Sequence, residues 1–176
     1  MKKLFFLLLM PVMGYGQATS FGNFKIVEQE IIYQKIFTQD SITVAKLETY
    51  YKALPFVTNV TSSGDGLQFE VQDITIDYKK FEFTQVATPP IMQTGKYSGK
   101  VAVGVKDGRY RVTLSGIMVT GDIGYKKITA KEPLTSFACK NSGTILSQDW
   151  CRPNMLGLLD QALTDKFLFR KGKDDW

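Results

Sequence analysis

Lys106-Asp107-Gly108-Arg109 is the segment that most narrows what this chain can become. Val101, Val103 and Val105 alternate with other residues up to it, and Tyr110, Val112 and Leu114 alternate away from it. An Asp-Gly pair between two alternating runs is a strong hairpin signal, because both central residues of the tightest turn need positive φ. The chain must therefore contain an antiparallel sheet with one apolar face.

More strands read around that hairpin. Phe24 to Phe37 is rich in Ile, Val, Tyr and Phe and reads as one long strand. Phe56 to Ser62 leads into the turn Ser63-Gly64-Asp65-Gly66, after which Leu67, Phe69 and Val71 alternate. Ile74, Ile76 and Tyr78 follow a one-residue phase change, which predicts a bulge at Asp73. Ile117 to Thr120 extends the second hairpin arm, and Ile123 to Ala130 reads as a returning strand. Two helices interrupt the pattern. Asp40-Ser41 offers a cap for one that carries Val44, Leu47, Tyr50, Tyr51 and Leu54 on one face and stops before Pro55. Asn154 offers a cap for the other, striped by Leu156, Leu159, Leu163 and Phe167. The order β-α-β(4+)-α predicts an α+β fold, with a single curved antiparallel sheet of five or more strands and two helices packed on one face.

Lys2 and Lys3, the apolar run Leu4 to Met13 and the small residues Gly14-Tyr15-Gly16 have the order of a secretory signal. Ten residues span about 15 Å as a helix, half a bilayer core, so a permanent anchor is disfavoured. The chain then divides into a signal peptide at 1–16 and one domain at 17–176 with a cysteine-bearing loop at 131–153. Removing the leader lowers the net charge from +5 to +3 by taking Lys2 and Lys3. Lys79-Lys80, Lys126-Lys127 and Arg170-Lys171-Gly172-Lys173 are isolated basic clusters rather than a stripe, so no nucleic-acid partner is expected. After signal cleavage no stretch approaches the ~20 apolar residues of a spanning helix.

Outside the cytoplasm the pair Cys139 and Cys151 favours a disulfide, worth about 3 kcal/mol on the chain-entropy account, against an alternative of two separate buried thiols. Trp150 is then expected to pack over the bridge, with a ligand-stacking surface as the alternative.

The sequence has no histidine. That removes His-activated nucleophiles and imidazole metal sites, and two cysteines alone make no ordinary zinc site. No phosphate loop, Ser-x-x-Lys pair or calcium loop occurs. No catalytic, cofactor or metal residue is therefore assigned. The remaining chemistry is a carboxylate pair drawn from Glu28 and Glu30, read on one face of the first strand, and Asp122 and Asp149, read in loops. Asn59-Val60-Thr61 matches a glycosylation sequon, a common three-residue coincidence.

Ile31-Ile32-Tyr33, the Tyr50-Tyr51 helix, Val105 to Val112 around the hairpin and the final leucine-rich helix together resemble an exported domain-of-unknown-function family common in Bacteroidetes. The resemblance spans most of residues 24–168 and implies a TATA-binding-protein-like fold. It implies no activity and no site residues, and a fold name does not carry DNA binding with it.

The expected role is thus a non-enzymatic binding module of the bacterial envelope, periplasmic or secreted, with an unknown protein or ligand partner. A carboxylate-based hydrolase and a cystatin-like protease inhibitor are the alternatives, the latter requiring a protruding apolar hairpin, for which the candidate is Gln85 to Lys96, a segment that contains Pro89-Pro90 and reads as a surface loop. Mass spectrometry of the exported protein should read an N-terminus at Gln17 or, after cleavage following Ala18, at Thr19; an intact Met1 would contradict the leader.

Overall fold

The computed structural model describes residues 18–170, so the leader expected at 1–16 and the charged tail beyond Arg170 lie outside the described residues. Strands β1 (Ser20–Phe21), β2 (Phe24–Val27) and β3 (Glu30–Thr38) open the domain. The expected single strand from Phe24 to Phe37 is a hairpin instead, turning at Glu28 (φ 49°) and Gln29 (φ 64°). The fold-back offsets the two arms, so Phe24 and Tyr33, of opposite parity in the sequence, pair on the core side. Helix α1 (Val44–Lys52) is capped by Thr43, whose hydroxyl accepts from the Lys46 amide at 3.3 Å, and not by Asp40-Ser41.

Strands β4 (Val57–Ser63) and β5 (Gly66–Ile74) form the next hairpin. A register shift between Val71 and Ile74, with Asp73 at φ 52°, is the expected bulge. The strand ends there. Ile76 and Tyr78 do not continue it, and Tyr78–Phe81 winds into one 3₁₀ turn capped by Asp77. Helix α2 (Pro90–Thr94) occupies the segment expected to be a loop, with Pro90 in its first turn and Ile91 and Met92 buried.

Strands β6 (Lys96–Lys106) and β7 (Arg109–Asp122) are the predicted hairpin, closing at Asp107 (φ 49°) and Gly108 (φ 68°). Then come β8 (Lys127–Pro133), a single turn α3 (Thr135–Ala138) and the miniature hairpin β9 (Cys139–Lys140) and β10 (Ile145–Leu146). An irregular wide turn at Pro153–Gly157 leads into α4 (Leu158–Phe167). Asn154 does not cap that helix; its side-chain amide donates to the Ala87 carbonyl at 2.8 Å.

The main sheet has eight strands in the order β1-β2-β3-β7-β6-β5-β4, every pair antiparallel, with β8 also on β7. Strand β7 is long enough to serve two partners along one edge. Arg109 to Leu114 pair with β3, and Met118 to Asp122 pair with β8. At the fork between them Gly116 takes φ 58° and forms a bulge that restores the phase, so Tyr110, Val112 and Leu114 before it and Ile117 and Val119 after it all reach the core. The Gly116 amide has no strand partner there, and the Glu30 carboxylate accepts from it at 2.7 Å.

All helices pack on one side of the sheet. Leu47 and Tyr51 of α1 and Leu159, Leu163 and Phe167 of α4 are buried against Phe69, Val103, Val112 and Leu114. Aromatic contacts bind the layers together: Tyr51 to Phe69 at 4.7 Å between ring centres, and Tyr33 to Phe167 at 6.2 Å. At the end of α4 the Phe167 carbonyl accepts from the Tyr51 hydroxyl at 2.8 Å and from Tyr110 at 3.1 Å. Tyr110 in turn accepts from the Phe169 amide at 2.7 Å, and Tyr50 donates to the Leu168 carbonyl at 2.9 Å. These hydroxyls satisfy carbonyls that every helix terminus leaves orphaned. At the other end of the helix, Asp160 accepts from the backbone and side-chain amides of Asn23 at 2.9 and 2.7 Å.

Three outcomes follow for stability. Tyr51→Phe alone should cost about 1 kcal/mol, since Tyr110 still serves the Phe167 carbonyl, whereas Tyr51→Phe with Tyr110→Phe should cost more than the two singles added. Denaturant melts of all four proteins measure the difference, and strict additivity would refute the shared acceptor. Burial also pushes the Tyr110 hydroxyl up to about 12 and raises Tyr33, Tyr51 and Tyr97 in the same direction. Unfolded tyrosine ionises near pH 10, so these groups leave stability level below about pH 10 and erode it as pH climbs toward 12. A denaturation midpoint that stays flat through that range would contradict the packing. Glu30→Ala should cost about 1–3 kcal/mol and speed hydrogen exchange at Gly116, with Glu30→Gln much milder because an acceptor remains. Unchanged exchange in Glu30→Ala would remove the carboxylate from the fork.

Candidate functional site

The face of the sheet opposite the helices carries no covering layer among the described residues. Its side chains are the alternate half of the strands that build the core. Register places them in rows across the sheet. One row runs Ile36, Arg111, Gly104, Gly66 and Ser63, and the next runs Gln34, Thr113, Ala102, Gln68 and Thr61. Flanking rows bring Thr38, Arg109 and Lys106 to one side and Ser115, Lys100, Glu70 and Thr58 to the other. Arg111, Gly104, Ala102 and Gln68 are exposed, directly beside neighbours that are buried on the core side, and Thr61 is exposed at the end of the row.

Three adjoining hollows lie on this face. A hollow of about 350 Å³ sits over Gly66, Ala102 and Gly104, with Arg111, Thr113, Gln68 and Thr61 at its sides. A second, of about 360 Å³, lies between Ile36, Asp65, Lys106, Arg109 and Arg111. The third, of about 420 Å³, is bounded by Asn59, Gln68, Glu70, Lys100 and Ser115. Small residues make the floor, and Arg111 is the wall common to the first two.

Four cations stand on this face: Lys100, Lys106, Arg109 and Arg111. One lysine of each pair noted in the sequence is engaged, Lys80 with Asp165 at 2.6 Å and Lys126 with Glu132 at 2.8 Å, while Lys79 and Lys127 are in no ion pair among the described residues. Among the described residues, Lys100, Lys106, Arg109 and Arg111 belong to no ion pair. Glu70 is engaged by the Asn59 side-chain amide at 3.1 Å, which occupies a nearby acid.

The four carboxylates considered for acid–base work do not come together. Glu28 stands in the β2–β3 turn with positive φ, not on a strand face, because the chain reverses there. Glu30 is spent on the Gly116 amide. Asp122 accepts from the Gly124 amide at 2.7 Å in a local turn, and Asp149 pairs with Arg152 at 2.6 Å. None of the four lines the hollows of the open face or the one beside Trp150. Among the described residues no three His, Cys, Asp or Glu side chains gather as metal ligands. The apolar hairpin that an inhibitor reading needs is absent from Gln85 to Lys96, where Ile91 and Met92 are folded inward and the Tyr97 hydroxyl donates to the Ile91 carbonyl at 3.2 Å.

Trp150 is only 8% exposed and belongs to the main core. It forms the inner wall of a hollow of about 190 Å³ with Pro89, Ile91, Phe137, Met155 and the exposed Tyr125. Cys139 and Cys151 are free, half-buried thiols. Burial, and then the neighbouring Cys151, push the Cys139 thiol up to about 11. The pairing of Leu146 with Cys139, and the Cys151 amide donating to the Ser147 carbonyl at 3.1 Å, fold the two cysteines toward each other.

The open-face residues are the other half of an alternating pattern. Val101, Val103 and Val105 pack toward the core, while Lys100, Ala102, Gly104 and Lys106 between them spell the other surface.

No protein-family model matches the chain, and no curated protein matches it. It is similar to two solved structures. One is a DUF4468 family protein from Bacteroides ovatus, 13% identical over 83% of this chain and 84% of that one, with a TM-score of 0.44. The other is a TBP-like protein from Parabacteroides distasonis, 11% identical over 80% of this chain and 88% of that one, also at 0.44. The α+β architecture stands on the strand pairing described above, and these two proteins are what the chain is similar to.

Proposed function

We propose that the protein is exported to the periplasm or beyond and acts there as a non-enzymatic binding module, with the open sheet face as its contact surface. One observation carries this reading: a face five strands wide, floored by Gly66, Ala102 and Gly104, is left uncovered by the described residues while the opposite face is buried by helices. An open polar sheet face with hollows suits a protein or ligand laid across it better than a small substrate enclosed from water. The scattering of Glu28, Glu30, Asp122 and Asp149 supports a binding role over hydrolysis. Export through Met1–Gly16 and closure of a Cys139–Cys151 bridge belong to the same reading, and the shared local fold of the two cysteines supports the bridge.

Affinity capture from the native envelope tests it with two variants. A partner retained by the wild-type protein and by Lys52→Glu on the helix side should be lost with Ala102→Glu, which puts a charge in the middle of the face. Capture that is indifferent to Ala102→Glu, or that returns nothing with the wild type, would refute the reading.

A further inference from the structure

Gly104 sits in the interior of β6, where a glycine weakens a strand by its backbone entropy and its missing side chain. Two structural demands commonly explain such a glycine, and neither applies. Its φ lies outside the left-handed region, and a Cβ built on it would meet nothing within 4 Å. Its cross-strand neighbour differs: at Gly66 a Cβ would fall 2.9 Å from the Val103 carbonyl oxygen, so packing within the sheet requires that glycine. Nothing within the fold asks for the gap at Gly104. A glycine inside a strand also marks places where a ligand or another backbone approaches closely.

What surrounds the gap defines what can approach. Arg111 is directly opposite Gly104 on β7, and Lys106 and Arg109 pair in the adjoining row. None of the three is in an ion pair among the described residues, and Asp65 is the one acid lining the same hollow. Ile36, 60% exposed, faces Arg111 from β3. The open face has no aromatic side chain in these rows on which a sugar ring or a base would stack.

We propose that the hollow over Gly104 receives an acidic peptide segment of a partner protein, its carboxylates on Arg111, Arg109 and Lys106 and an apolar side chain on Ile36. This rests on the reading of the open face as the contact surface and names the chemistry of its partner. Arginine offers a planar fork of donors that matches a carboxylate bidentately, and the small floor lets the peptide come close enough to use it.

The test uses the full chain and a labelled synthetic peptide of alternating Glu and Leu, with its Lys and Leu counterpart and a single-stranded oligonucleotide of equal length as comparisons. Fluorescence anisotropy should show the Glu peptide binding, with affinity falling as salt rises. Arg111→Gln should weaken it about tenfold, as expected for losing one charge-assisted contact. Gly104→Val should weaken it at least as much while the thermal melt is unchanged or raised, since the added side chain enters open space and valine suits a strand. Lys52→Gln, on the helix side, should bind as the wild type does. No binding of the Glu peptide, wild-type affinity in Gly104→Val and Arg111→Gln, or tighter binding of the oligonucleotide would each overturn the proposal. Adding the Glu peptide as a competitor to the envelope capture separates the two claims. Loss of capture with Ala102→Glu but no competition by the peptide sinks the acidic partner alone, whereas capture indifferent to Ala102→Glu sinks the contact face itself.

Discussion

The carbonyl of Phe167, held by the hydroxyls of Tyr51 and Tyr110, is the contact on which the layered arrangement depends. One hydroxyl comes from α1 and the other from β7, so three elements distant in sequence meet at one oxygen. A helix end buried without such partners would leave polar groups unsatisfied in a low-dielectric core. Because the donors are tyrosines, the same residues also supply the apolar bulk around that oxygen: Tyr51 packs on Phe69 and Tyr110 stacks on Phe37 at 4.9 Å. Both helices are thereby fixed to one side of the sheet.

Fixing both helices on one side determines the character of the other. Strands β5, β6 and β7 present Leu67, Phe69, Val101, Val103, Val112 and Leu114 to the helices. The strand period of two then turns their intervening residues to the opposite surface. There the chain places glycine, alanine, threonine and glutamine with cations between them, where large β-branched or aromatic residues would better stabilise a sheet. The bare face is therefore polar enough to stand in water and shaped by small residues rather than by packing.

Much of this was legible in the residues themselves. The β6–β7 hairpin, the bulge at Asp73, the face of α1 and the leucine stripe of α4 all follow from local periodicity and turn chemistry, which act within a few residues. The features that escaped depend on contacts across the chain. Glu28-Gln29 carries no glycine or asparagine, so nothing local announced a turn that β3 pairing with β7 imposes. Asn154 looked like a helix cap, but the Ala87 carbonyl, far away in sequence, competes for its side chain. Glu30 read as one acid of a pair because the fork at Gly116 exists only after β7 has taken two partners. Ile91 and Met92 read as loop residues because Pro89-Pro90 precede them, although proline at the start of a helix is favourable. The open face differs again: alternation marks its residues as the polar half of each strand, but no local signal says that this half stays uncovered.

Solvent accessibility in solution tests the one-sided architecture directly. With a soluble paramagnetic probe, NMR signals from Ala102, Thr113 and Gln68 should broaden strongly while those of Val103, Val112 and Phe69, one residue away in each strand, stay sharp. Equal protection of both sets would mean that something covers the face described as bare, and the account of a helix-buried side and a free side would be wrong.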